Sequence, residues 1–95
     1  MLTKKDILEI LKELIIEHDY SRLGIEYSDI HLDSTLTDDL GFDSLDVTEL
    51  CVSIERKLDI YIKDSEVENV MMKLDIEGLM NFLYERYQKV QGNNF

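Results

Sequence analysis

The sequence predicts an all-α fold, a small four-helix bundle with a long loop between helices 1 and 2 and a short third helix. Three observations carry this expectation. Apolar residues recur at helical spacing in three long stretches, helix-start signals stand before each of them, and no segment alternates apolar and polar residues with comparable strength. The chain has 95 residues, 44% of them apolar, which suits one domain with a modest core, and no linker or repeat marks a second unit. Residues 1–90 are read as that domain and residues 91–95 as a flexible tail.

Thr3, followed three residues later by Asp6, resembles a capping box. Ile7, Leu8, Leu11, Leu14 and Ile15 then follow at helical spacing, which predicts a first helix over residues 4–18. From Asp19 to Asp43 the period is lost, and Gly24, Ser28, Asp29, Asp33, Ser34 and Gly41 supply turn chemistry. A loop this long needs anchors of its own, for which Ile25, Ile30, Leu32, Leu36, Leu40 and Phe42 are the candidates. Val47, Leu50, Cys51, Ile54 and Leu58 form the buried stripe of a second helix, capped by Asp43 or Ser44. Residues 59–62 fit an extended link. Asp64 and Ser65 can start a third helix of one or two turns, with Glu68 closing a box from Ser65 and Val67, Val70 and Met71 facing inward. Asp75 caps the last helix, whose stripe is Ile76, Leu79, Met80, Leu83, Tyr87 and Val90.

With 21 Asp and Glu against 10 Lys and Arg, the formal net charge is −11. That charge opposes binding to nucleic acid and to anionic lipid and favours basic protein surfaces. The lone Cys51 forms no internal disulfide and reads as a buried thiol, so the fold does not depend on an oxidising compartment. No apolar run has the length of a membrane span or the form of a signal peptide, and a cytoplasmic, monomeric protein is the expectation. The aspartates between Asp33 and Asp46 do not follow the EF-hand spacing, although a weak divalent-ion cluster stays open. His18 and His31 lack metal-ligand partners at ligand spacing and are read as surface or loop-packing residues. No metal site and no catalytic residue are assigned.

Ser44 stands where the loop becomes a helix, in Asp38-Asp39-Leu40-Gly41-Phe42-Asp43-Ser44-Leu45-Asp46. By position alone it reads first as a helix cap, because Ser and Asp are so common at helix starts. The stretch from Asp39 to Asp46, continued by Glu49-Leu50 and Asp59-Ile60, resembles the phosphopantetheine attachment motif of acyl carrier proteins, and the likeness extends over nearly the whole chain. The resemblance implies that Ser44 bears a covalent 4′-phosphopantetheine arm derived from coenzyme A, with Asp43 and Leu45 beside it. It also implies that Asp43 helps bind the phosphopantetheinyl transferase and its metal, and that the terminal thiol of the arm, not Cys51, holds the acyl group. A helix start suits the phosphodiester, because backbone N–H groups and a partial positive charge face it, although Asp43 and Asp46 partly oppose this.

At roughly 100° per residue, Leu45 and Val52 lie about 140 to 160° from Val47, on the outward side of the second helix beside Glu49 and Arg56. They are either scattered surface residues, with Leu45 stapling the helix start, or a docking ridge. The resemblance favours docking, through Leu45, Asp46, Glu49, Val52, Glu55 and Arg56. It implies acyl-loading, synthase and acyltransferase partners with basic patches. Arg56 and Lys57 depart from the mostly acidic pattern at that helix end, which leaves room for a specialised lipid or polyketide pathway beside fatty acid synthesis. Leu50, Cys51, Ile54, Ile62, Val70 and Leu79 are either plain core or the lining of an acyl pocket. The rival readings are a peptidyl carrier, against which Asp43 argues, and an unmodified acidic adaptor.

Overall fold

The computed structural model describes residues 1–19 and 24–92. It is all-helical, with α1 (Lys4–Asp19), α2 (Ser44–Leu58), α3 (Asp64–Glu66) and α4 (Ile76–Gly92), a 3₁₀ turn at Tyr27–Asp29 and a π-helical segment at Val67–Met71 that continues α3. Among the described residues the only β-type pairing is one isolated antiparallel bridge, Thr35 with Asp75.

The first helix starts as its sequence predicts. The Asp6 carboxylate accepts from the Thr3 N–H (2.8 Å) and hydroxyl (3.0 Å), while the Thr3 hydroxyl oxygen accepts from the Asp6 N–H at 3.2 Å. These bonds, the backbone one foremost, hold the Asp6 carboxyl below its ordinary value. Ile7, Leu11, Leu14 and Ile15 are buried against the other helices and Leu8 lies at the edge of that core. His18 departs from the expectation of a surface or loop-packing residue. It is buried, and its Nε2 meets the Ser53 hydroxyl of α2 at 2.8 Å, because the stripe of α1 continues one turn further than its aliphatic residues do. His31 is exposed.

Residues 20–23 lie outside the described residues; the rest of the long loop is held by its own anchors. Ile30, Leu36, Leu40 and Phe42 are buried and Ile25 is half-buried. Leu32 is a correction: it is 47% exposed, because its carbonyl accepts from the Glu77 N–H at 2.9 Å and the backbone is fixed there without burial of the side chain. The Ser34 carbonyl likewise accepts from Ile76 N–H at 2.8 Å. The loop thus satisfies the first N–H groups of α4 that no helical carbonyl reaches, while the Asp75 carboxylate caps the same helix by accepting from Gly78 N–H at 2.8 Å. Tyr27 donates to the Glu9 carboxylate and receives the Lys12 ammonium over its ring at 5.1 Å, so the 3₁₀ turn is tied to α1.

The third helix begins at Asp64, one of the two residues predicted to start it, but the predicted box is not the one that forms. The box runs from Lys63 to Glu66, whose carboxylate accepts from the Lys63 N–H at 2.9 Å, so the expected Ser65–Glu68 box does not form and Glu68 is exposed. The physical reason is Arg86 of α4, which captures Glu66 at 2.5 and 3.1 Å and so decides which glutamate turns back. Beyond it the Met72 N–H reaches the Val67 carbonyl, five residues back, at 3.1 Å, which makes the second turn a π turn. Met71 is buried, with Val67 and Val70 at the edge. In α4, Ile76, Leu79, Leu83 and Tyr87 are buried, Met80 and Val90 half-buried. Gln91 and Gly92, predicted as tail, still belong to α4; Asn93 and Asn94 lie outside the described residues.

Candidate functional site

The start of α2 is built by a turn that only one residue type permits easily. Leu40 and Phe42 are both buried, and the Phe42 N–H bonds the Leu36 carbonyl at 2.8 Å. Between these two anchors the backbone passes through the left-handed region at Gly41 (φ 73°), where a side chain would be strained. The turn delivers Asp43 in extended conformation at the N-cap. Its carboxylate accepts from Asp46 N–H at 2.8 Å, and the Asp46 carboxylate accepts from Asp43 N–H at 3.1 Å. The choice left open between Asp43 and Ser44 is thereby settled: Asp43 is the cap.

Ser44 is then the first residue of the helix and is not needed to cap it. It is exposed, its hydroxyl makes no hydrogen bond to any of the described residues, and its carbonyl accepts from the Thr48 hydroxyl at 2.8 Å. A free hydroxyl in front of a helix N-terminus is a good acceptor position for a phosphodiester, since the backbone N–H groups and dipole there favour an anion.

Beside it runs a groove of about 190 Å³ between α2 and the α3–π segment, lined by Ser44, Thr48, Asp64, Val67, Glu68 and Met72. Periodicity alone did not mark these wall residues, apart from Val67, because the groove is made by two elements meeting. Behind it Leu50, Cys51, Ile54, Ile62 and Leu79 are buried and Val70 is half-buried. Burial, and secondly the charge of Glu55, push the Cys51 thiol up to about 12, which leaves it protonated and inert at neutral pH.

On the outward face of α2, Leu45 is 65% and Val52 42% exposed, with Glu49 and Arg56 exposed alongside. Two residues read as docking groups have structural work as well. Asp46 closes the capping box, and the half-buried Glu55 accepts from the Ile62 N–H at 2.9 Å, which ties the α2–α3 link down. Four of the loop aspartates, Asp29, Asp33, Asp38 and Asp39, line a separate open depression, and among the described residues no group of three His, Cys, Asp or Glu is placed to hold a metal ion. Among the described residues no helix is long and apolar enough to cross a membrane.

Comparison with known proteins agrees with this geometry. Residues 21–71 match a family model described as the phosphopantetheine attachment site. The chain is 43% identical to an acyl carrier protein of Exiguobacterium sibiricum over 79% of its length and 90% of that protein's. It is 31% identical to an acyl carrier protein of Petrotoga mobilis over 90% and 92%, and 37% identical to one of Clostridium acetobutylicum over 74% and 86%. Domains of this kind carry a covalently attached 4′-phosphopantetheine, work with a phosphopantetheinyl transferase and synthase enzymes, and are carriers rather than enzymes. The all-helical bundle, the glycine turn into a capped helix and the free Ser44 hydroxyl at its start go with these matches, and the chain belongs to the acyl carrier proteins.

Proposed function

We propose that Ser44 is the attachment residue, and that the chain shuttles acyl groups as thioesters between enzymes of fatty acid synthesis or of a specialised lipid or polyketide pathway. One observation carries this reading. Asp43 supplies the helix cap, so the Ser44 hydroxyl is left exposed at the first position of α2, with no hydrogen bond to any of the described residues. A transferase moves 4′-phosphopantetheine from coenzyme A onto that hydroxyl. The hydroxyl oxygen gives up its proton and bonds to the β-phosphorus as the pyrophosphate bond breaks and adenosine 3′,5′-bisphosphate leaves, and the terminal thiol of the arm then holds the acyl group.

The chain's own residues divide the work. The first turn of α2 presents N–H groups to the phosphodiester, and Asp43 faces the transferase and its metal. Leu45 and Val52 form an apolar strip among Asp46, Glu49, Glu55 and Arg56, to which basic enzyme surfaces dock. The α2–α3 groove beside Ser44 leads toward Leu50, Cys51, Ile54, Ile62, Val70 and Leu79, which part to shelter the acyl chain. A net charge of −11 disfavours self-association, and the buried, unreactive Cys51 needs no oxidising surroundings, which supports a cytoplasmic monomer.

The test is intact mass after incubation with coenzyme A and a phosphopantetheinyl transferase. The parent is expected to gain one arm and Ser44→Ala none. A parent that stays unmodified is an acidic adaptor instead, and an arm on Ser44→Ala puts the attachment elsewhere.

A further inference from the structure

Another groove, between α1 and α2, has rims of opposite charge that are not paired with each other. It lies at the end of α2 away from Ser44 and has a volume of about 290 Å³. From α1 come Ile10, Glu13, Leu14 and Glu17, which share one face of that helix and make the acidic side. From α2 come Ser53, Arg56 and Lys57, again on one face, and they make the basic side. Both glutamates, Arg56 and Lys57 are exposed, Ile10 is half-buried and Leu14 is buried. Ser53 is held by His18, whose Nε2 meets its hydroxyl at 2.8 Å.

Among the described residues no ion pair or side-chain hydrogen bond joins Glu13 or Glu17 to Arg56 or Lys57. The acceptors of one rim and the donors of the other therefore stay available to a third body. The acidic wall and the net charge of −11 turn away phosphates and nucleic acid, and the same net charge opposes a second copy of the chain. The volume is small for a small-molecule site, and its apolar lining is only Ile10 and Leu14. What fits is the ridge of a third helix, which packs into the furrow between two others with an apolar side chain down and charged residues on either flank. Arg56 also stands on the outward strip with Leu45, Glu49 and Val52, so groove and strip form one continuous surface.

Resting on the carrier reading above, we infer that the α1–α2 groove is a second docking surface, joined to the α2 strip at Arg56, and that it seats an amphipathic helix of a partner enzyme. That helix sets an apolar side chain over Ile10 and Leu14, carboxylates against Arg56 and Lys57, and basic residues against Glu13 and Glu17. Ser44 lies roughly 14 to 20 Å away along α2, so the arm stays free while the helix is seated. The strip offers mostly carboxylates and suits any basic surface. The groove demands both signs in a fixed order, and so separates partners that the strip alone accepts equally.

The probe is a short stapled helix of zero net charge, with leucines on one face, lysines along one flank and glutamates along the other, titrated into isotope-labelled parent and variants. Amide shifts in the parent should gather on Ile10, Leu14, Ser53 and Lys57. Glu13→Lys with Glu17→Lys, or Arg56→Glu with Lys57→Glu, should each weaken binding about tenfold, the size of two surface pairs lost and reversed. All four changes together should restore it, because the exchanged rims accept the same helix end for end and the net charge of the chain is unchanged. Ile10→Ala should weaken binding about fivefold, with Ile10→Val as the milder variant if circular dichroism shows the alanine form loosened. Rim reversals without effect, shifts confined to the strip from Leu45 to Val52, or a fourfold variant that stays weak would each overturn the inference. So would a dimer, seen by sedimentation and abolished by either rim reversal, which would give the groove to a second copy. Arm loading by the transferase is read on the same samples. A chain that takes no arm yet seats the helix fails as a carrier and keeps the groove, whereas one that takes the arm and ignores the helix keeps the carrier reading and loses this one.

Discussion

Asp43 and Asp46 hold each other's backbone N–H groups, at 2.8 Å and 3.1 Å, across the first turn of α2, with Ser44 between them. Two carboxylates of like charge stand together there because each satisfies a donor that the helix itself leaves unpaired.

That reciprocity separates the structural role of Asp43 from its charge. Asp43→Asn keeps an acceptor for the Asp46 N–H and should unfold within about 0.5 kcal/mol of the parent, whereas Asp43→Ala should cost about 1 kcal/mol. Both should be loaded more slowly by the transferase, because both lack the carboxylate. Denaturation curves and loading rates check the two halves. Full-rate loading of Asp43→Asn would confine Asp43 to capping.

Stability should fall as the medium is acidified below the ordinary carboxylate values. The carboxyls of Glu66, paired with Arg86, and Asp6, bonded to Thr3, sit lower in the folded chain than their ordinary values of 4.5 and 3.8. Groups with a depressed folded value bind fewer protons when folded. Their contribution is therefore whole above those values and is lost as pH drops through the folded ones. Thermal melts from pH 7 to pH 3 should show a steeper decline in the parent than in Glu66→Gln; parallel curves would contradict this.

Added salt should raise the melting temperature, since a net charge of −11 on a small domain repels itself and ions screen that repulsion. Magnesium should do so at lower concentration than sodium. A melting point that stays flat from low to moderate ionic strength would refute the screening argument.

The outward strip of α2 should show two kinds of sensitivity. Glu49→Lys should weaken binding to a basic partner enzyme mainly at low salt, whereas Val52→Ala should weaken it at every salt concentration, by about 1 kcal/mol, with the fold intact. Arg56→Glu should strengthen binding to an ordinary basic partner and weaken it to one that meets Arg56 with a carboxylate. Titrations against the transferase and one synthase, with circular dichroism as control, decide. Unchanged affinities in all three would mean that docking uses another face.

Cys51 should be silent to thiol reagents in the folded chain, because burial pushes its thiol up to about 12. The unmodified protein should take up no reagent at pH 8 and the arm-bearing protein one equivalent, with one more in each after denaturation. Rapid labelling of Cys51 in the folded, unmodified chain would show the core open there.

The stripes of α1, α2 and α4, the Thr3–Asp6 and Asp75 caps and the place of Ser44 are legible in the chain itself, because they depend on neighbours within about four positions, where helix geometry is periodic. The outward position of Leu45 and Val52 follows from the same arithmetic. Only the tertiary structure decided that Glu66 and not Glu68 closes the third helix start, since Arg86 reaches it from twenty residues away. It likewise decided that Leu32 is exposed while its carbonyl serves α4, that His18 meets Ser53, and that Glu55 turns to the Ile62 N–H. Each of these joins groups far apart along the chain, or beyond the reach of one helical turn, whose meeting is set by how the helices pack, and no local period encodes that.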